Sequence, residues 1–157
     1  MADNVITNQF LTFLLGGETY AIEITKIREI LTYPDVTILP NTPNWVKGVI
    51  NLRGEVTPII DLRLRFNTTT LDKLAYDDST IVIAVVTEDN RMLGIVIDEV
   101  SDIELIDLDS LAPSPDMGIS IGREYLKGLY NKEDAMIVIA DIDAILDKKE
   151  LGVDVEG

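Results

Sequence analysis

The residues that could do chemistry in this 157-residue chain are paired carboxylates and an arginine in a turn. Asp107-Leu-Asp109 and Asp141-Ile-Asp143 open as a calcium loop does, yet neither run has glycine at the sixth position or glutamate at the twelfth. The acidic stretches also lack an aromatic platform on which a sugar would stack, so a solvated acidic face is the plainer account than glycosidic acid–base catalysis. Histidine and cysteine are both absent. Their absence removes the usual nucleophile–base pairs, the common zinc ligands and the general base that titrates near neutrality. Gly16-Gly17 leads into a strand rather than a helix and is not followed by Lys-Ser/Thr, so it is no phosphate loop. The inventory points to no catalytic group, no metal site and no cofactor.

The arginine is Arg53, within Asn51-Leu52-Arg53-Gly54. A tight turn accounts for Asn51, which accepts at the first position, and for Gly54, which closes the last. It does not account for Arg53. A solvated side chain at a hairpin tip is one reading; bidentate recognition of a partner's carboxylate is the other.

Composition bounds the partners. A net charge of −15 and a pI near 4.2 disfavour nucleic acid and anionic lipid, both of which need a cationic footprint. The charge is uneven: residues 1–78 carry a net −3 and residues 79–157 a net −12. With 46% apolar residues the chain can build a real core, leaving its charges outside. The opening residues MADNVITNQF lack the basic-then-apolar order of an export signal, and the longest aliphatic run, Ile81 to Val86, is too short to span a bilayer. The expectation is a cytoplasmic protein without direct membrane insertion.

The elements that must position these residues read as mainly β. Runs rich in β-branched residues cover Gln9–Leu15, Thr19–Ile24, Val36–Leu39, Trp45–Leu52, Glu55–Ile60, Thr80–Thr87, Met92–Ile97, Asp102–Ile106, Tyr125–Tyr130 and Ala135–Ala140. Turn signals at Gly16-Gly17, Asn51–Gly54, Glu88–Arg91 and Asn131–Asp134 join several of them as hairpins. Two short helices are expected. One covers Ile24–Leu31, with Ile24, Ile27 and Leu31 on one face; the other follows Asp141 as N-cap and runs to Asp147 or Lys149.

An internal echo organises the chain. KGVINLRG at 47–54 returns as KGLYNKED at 127–134, an offset of 80, and YAIEITKIREI at 20–30 matches LGIVIDEVSDI at 93–103, an offset of 73. Gly48 pairs with Gly128, Asn51 with Asn131, Asp61 with Asp141 and Ile27 with Val100. Arg53 and Gly54 are replaced by Glu133 and Asp134. The loop LAPSPDMGIS can absorb the seven extra residues of the second copy, and Asn67–Ser79 is the natural crossover. Two similar small barrels are the simplest account. Gly48 and Gly128 interrupt strand patterns and mark bulges or close approaches. Ile24, Ile27 and Val100 read either as core or as the wall of a groove between the halves, rimmed by Glu29 and Arg53.

The runs QFLTFLLGGETYAIEITKIREI, LPNTPNWVKGVINLRGEVTPIIDLRLRF, MLGIVIDEVSDI and YLKGLY resemble the CheW family of bacterial chemotaxis coupling proteins, over about Gln9–Leu146. The resemblance implies two five-stranded SH3-like barrels related by a pseudo-twofold axis, an all-β fold with short helices. It implies one domain over 8–150 with subdomains near 20–78 and 79–146, the first strand and terminal helix shared, and a flexible tail at 151–157. It further implies a non-enzymatic scaffold joining the regulatory domain of the chemotaxis histidine kinase to the cytoplasmic hairpin tip of chemoreceptors, and recruitment to receptor arrays through those partners. The family's arginine falls on Arg53, its receptor-groove positions on Ile24, Ile27 and Val100 with Glu29 near the rim, and its sensitive glycines on Gly48, Gly94 and Gly128. A small-molecule-binding β-barrel or a minor carboxylate-dependent hydrolase is the alternative, which an occupied internal cavity would favour and filled barrels would not.

Overall fold

β-Branched side chains pack well on a pleated surface, and they recur along ten strands among the described residues. The computed structural model describes residues 7–66, 74–112, 126–132 and 135–145. Its strands are β1 (Thr7–Leu15), β2 (Glu18–Glu23), β3 (Ile27–Thr32), β4 (Val46–Leu52), β5 (Glu55–Asp61), β6 (Ile81–Val86), β7 (Met92–Ile97), β8 (Glu99–Asp107), β9 (Leu126–Lys132) and β10 (Ala135–Ala140). One-turn helices α1 (Leu62–Arg65) and α2 (Ile142–Ile145) follow β5 and β10. The proline-rich loop from 113 onward, the Glu133-Asp134 turn, the end of the last helix and the tail lie outside the described residues.

The strands form two five-stranded sheets, ordered β8-β1-β2-β10-β9 and β3-β6-β7-β5-β4. Replacing each strand by its counterpart in the sequence echo turns one order into the other. The register repeats too. The parallel pairing Ile59↔Gly94 between β5 and β7 has its equivalent in Ile139↔Ala21 between β10 and β2. Isolated bridges, Thr37↔Val49 and Ala112↔Leu129, link the chain beyond each outer strand β3 or β8 to the opposite outer strand β4 or β9, closing each sheet towards a barrel.

The strands do not divide at residue 78. Barrel 1 takes β1 and β2 with β8, β9 and β10, whereas barrel 2 takes β3, β4 and β5 with β6 and β7. The cause is local: the chain crosses from barrel 1 to barrel 2 through the 3-10 turn Ile24–Lys26, and back through Asp98 alone. The expected helix over Ile24–Leu31 is therefore replaced by that turn and by β3. Ile27, Glu29 and Leu31 alternate inward against Arg28, Ile30 and Thr32, and pairing with β6 settles a window whose apolar residues fit both periods. Val36–Leu39 contributes one bridge rather than a strand.

Each barrel is filled by its own side chains. Phe10, Ala21, Ile106, Ile137 and Ile139 pack inside barrel 1, and Ile59, Val82 and Val96 inside barrel 2. The largest cluster joins the two: Phe13, Leu15, Tyr20 and Ile22 from barrel 1 meet Ile60, Ile83, Leu93, Ile95 and Ile97 from barrel 2, with Phe66 after α1. Strand alternation explains the division, since one face of β1, β2, β6 and β7 looks into its own barrel and the other into the partner barrel.

Candidate functional site

At the margin of this shared core Ile24, Ile27 and Val100 are half-buried, packed against it without being enclosed. Ile27 and Val100 are counterparts in the echo, and they pair with the equivalent residues Val85 and Phe13. The fold thus places all three against one cluster at the junction between barrels.

Arg53 occupies the β4–β5 turn with a φ of +54°, a left-handed conformation that few side chains adopt. The Asn51 side-chain oxygen accepts from the Gly54 amide at 2.9 Å, and Gly54 follows with a φ of +86°. The turn aims Arg53 at Glu29, whose Oε2 lies 3.0 Å from Nε. β3 and β4 are the two outer strands of the same sheet, so the ion pair spans the barrel's closure. The Arg53 side chain is still 75% exposed. Its hydrogen bond to Glu29 and that carboxylate's charge raise the guanidinium pKa, keeping it charged. The pair engages Nε and leaves most of the side chain in solvent.

Gly48 and Gly128 both sit where the register shifts, beside the breaks Val46/Gly48 and Ile139/Ala140. A Cβ on Gly48 would lie 2.1 Å from the Thr37 carbonyl oxygen, and one on Gly128 would lie 2.9 Å from that of Ala112. Both permit the closing bridges. A Cβ on Gly94 would meet the tip of Ile59 at 2.6 Å inside barrel 2.

The sequence reading missed a buried polar network at the end of β5 away from the Arg53 turn. Asp61 is fully buried; it caps α1 through the Arg63 amide at 3.0 Å and holds the Arg63 guanidinium by Nε and Nη2, each at 2.9 Å. The Tyr76 hydroxyl donates to the same carboxylate at 2.5 Å. Lys47 lies over the Tyr76 ring at 4.7 Å, and Tyr33 packs against that ring with centroids 5.0 Å apart. Burial, then the hydrogen bond to Asp61, pushes the Tyr76 pKa well above its usual 10; burial lowers that of Lys47. The Asp61-Leu62-Arg63 run was a signal, because a buried aspartate before a helix needs both a helix amide to donate to it and a cation.

Among the described residues no group of three or more metal-ligating side chains occurs, and no helix is long and apolar enough to cross a membrane. The two barrels are filled by their own side chains, with an apolar margin at their junction and an exposed arginine held by Glu29. The chain belongs to the CheW-like family, whose model matches residues 9–150. It is 39% identical over 153 residues to the chemotaxis protein CheW of Klebsiella aerogenes, covering 98% of this chain and 90% of that one. It is 30% identical to that of Bacillus subtilis over 142 residues, covering 90% and 88%. The scaffolding protein TtCheW from Thermoanaerobacter tengcongensis superposes with a TM-score of 0.80 at 26% identity, covering 96% of this chain and 94% of that one. The protein is a non-enzymatic chemotaxis adaptor built on SH3-like barrels.

Proposed function

We propose that this protein couples chemoreceptors to the chemotaxis histidine kinase by taking an apolar stripe of a receptor's hairpin helix along the barrel junction. Ile24, Ile27 and Val100 bury the helix face, and Arg53, oriented by Glu29, meets a polar group at its edge. The observation that carries this reading is Arg53 itself: a 75% exposed guanidinium held by one carboxylate at 3.0 Å. Such a group is pre-ordered for a partner and contributes little to folding. The kinase regulatory domain binds elsewhere, and the protein reaches membrane-associated receptor arrays from the cytoplasm through these two partners.

The test is binding of a receptor hairpin fragment and of a kinase regulatory domain to the parent protein and to Arg53→Glu. Retained kinase binding with lost receptor binding supports the proposal. Equal receptor binding by both forms overturns it.

A further inference from the structure

The two places where chain crosses between barrels are held by the same kind of contact with its charges inverted. At one crossing, Asp98 Oδ2 accepts from the Gly16 amide at 2.8 Å, in the β1–β2 turn of barrel 1, while Oδ1 lies 3.9 Å from Nη1 of Arg63 on α1, which follows barrel 2's β5. The Asp98 amide donates in turn to the Leu14 carbonyl at 3.1 Å. At the other, Asp143 Oδ1 accepts from the Glu88 amide at 2.6 Å, in the β6–β7 turn of barrel 2, and Oδ2 lies 3.5 Å from Lys26 Nζ. Asp143 is on α2, which follows barrel 1's β10, and Lys26 is on the crossing turn itself. In each case a carboxylate ties the hairpin amide of one barrel to a helix of the other.

The echo makes Arg63 the counterpart of Asp143 at an offset of 80. The duplicated helices thus carry opposite charges, and so do the crossings they meet. Exchanging the helices would set Arg63 against Lys26 and Asp143 against Asp98, both repulsive, so each helix is favoured at its own crossing.

We propose that Lys26 and Asp143 are positioning residues that fix the two barrels relative to one another and hold the turn Ile24–Lys26, with Ile27 after it, in its binding conformation. Lys26 lies between Ile24 and Ile27, and its side chain is only 18% exposed. It acts through the turn and not by touching the receptor, a role that rests on the receptor reading above. Glu23 at the start of the turn makes no side-chain cap bond; the Ile27 amide closes the turn on the Ile24 carbonyl, Arg28 Nη1 donates to the Thr25 carbonyl at 3.2 Å, and the Lys26–Asp143 pair ties the turn to α2.

The absence of cysteine lets the full chain be spin-labelled at Glu18→Cys in barrel 1 and Glu55→Cys in barrel 2, both exposed. Distances between labels are read by pulsed electron resonance, beside hydrogen exchange at the Glu88 amide and titration with a receptor hairpin fragment. Lys26→Glu broadens the distance distribution, speeds exchange at Glu88 and weakens receptor binding about tenfold; Lys26→Arg retains all three parent values. Asp143→Asn, which keeps an acceptor for the Glu88 amide but loses the charge, gives a smaller change in the same direction and serves if Lys26→Glu does not fold. Unchanged distances and exchange in Lys26→Glu and Asp143→Asn overturn the clamp. Altered distances with unchanged receptor binding leave the clamp standing and overturn the receptor reading.

Discussion

Arg53 and Glu29 join the two outer strands of one barrel, Nε to Oε2 at 3.0 Å. In the other copy the positions correspond to Glu133 and Asp102, so the sequence allows no such pair there. The duplication supplied two equivalent barrel closures, and an exposed cation was placed at one of them. Replacing Arg53 by Glu sets two carboxylates at the tip without touching either core. The expected outcome is a melting midpoint close to the parent's with receptor binding lost; circular dichroism melts run beside co-sedimentation check it.

Ile27→Ala separates margin from core. Ile27 is half-buried, so its truncation costs about 1–2 kcal/mol, whereas Ile83→Ala, fully buried between the barrels, costs about 3–5 kcal/mol. Receptor affinity falls in Ile27→Ala by about tenfold, because truncating an anchor at a helix-binding margin removes more than its area. Urea unfolding and fragment titration on both variants give the two numbers for each.

Gly48→Ala and Gly54→Ala differ in kind. At Gly48 the φ is +140° and the added carbon would lie 2.1 Å from a backbone oxygen. Neither atom can yield without opening the bridge to Val49, so the loss is about 3 kcal/mol or more. At Gly54 the φ is +86° with nothing within 4 Å, and only the backbone conformation costs, about 1 kcal/mol. Chemical denaturation ranks them.

Asp61→Ala removes the helix cap, the bidentate partner of Arg63 and the acceptor of Tyr76 together. A buried pair broken from one side costs about 3–5 kcal/mol. Calorimetry should place this variant among the least stable.

Alkaline stability follows from Tyr76. Its pKa is raised in the fold above the ordinary 10, so its contribution is fully present below pH 10. As pH rises past that value the unfolded chain releases the proton first and stability falls. Tyr76→Phe is expected to be less sensitive to pH from 10 upward than the parent, with Tyr20 and Tyr33, also raised by burial, supplying the remaining dependence. Melting midpoints across that range test it.

Much of this architecture could be read from residues. The echo of 47–54 in 127–134 corresponds to hairpins β4–β5 and β9–β10, whose copies keep the strand-break glycines Gly48 and Gly128 and the asparagines Asn51 and Asn131. Asp141 caps α2 through the amides of Asp143 and Ala144, as its place before an apolar run suggested. The exchange of strands between barrels was not legible: short crossings at Ile24–Lys26 and Asp98 look like ordinary turns, and only tertiary pairing decides which sheet the chain enters next. The same holds for Ile24–Leu31, where spacing admitted a helix and β6 imposed a strand. Arg53 could be singled out by its loss in the second copy, but its partner Glu29, 24 residues away, depends on barrel closure.

The central claim is that the barrel junction with Arg53 is the receptor's site and is separate from the kinase's. It is tested most directly by titrating the parent and Arg53→Glu with a receptor hairpin fragment and, separately, with a kinase regulatory domain. The account predicts parent binding to both, and an Arg53→Glu protein that keeps the kinase domain while losing the receptor by about tenfold or more. Receptor affinity unchanged in Arg53→Glu, or kinase affinity lost in parallel, would contradict it.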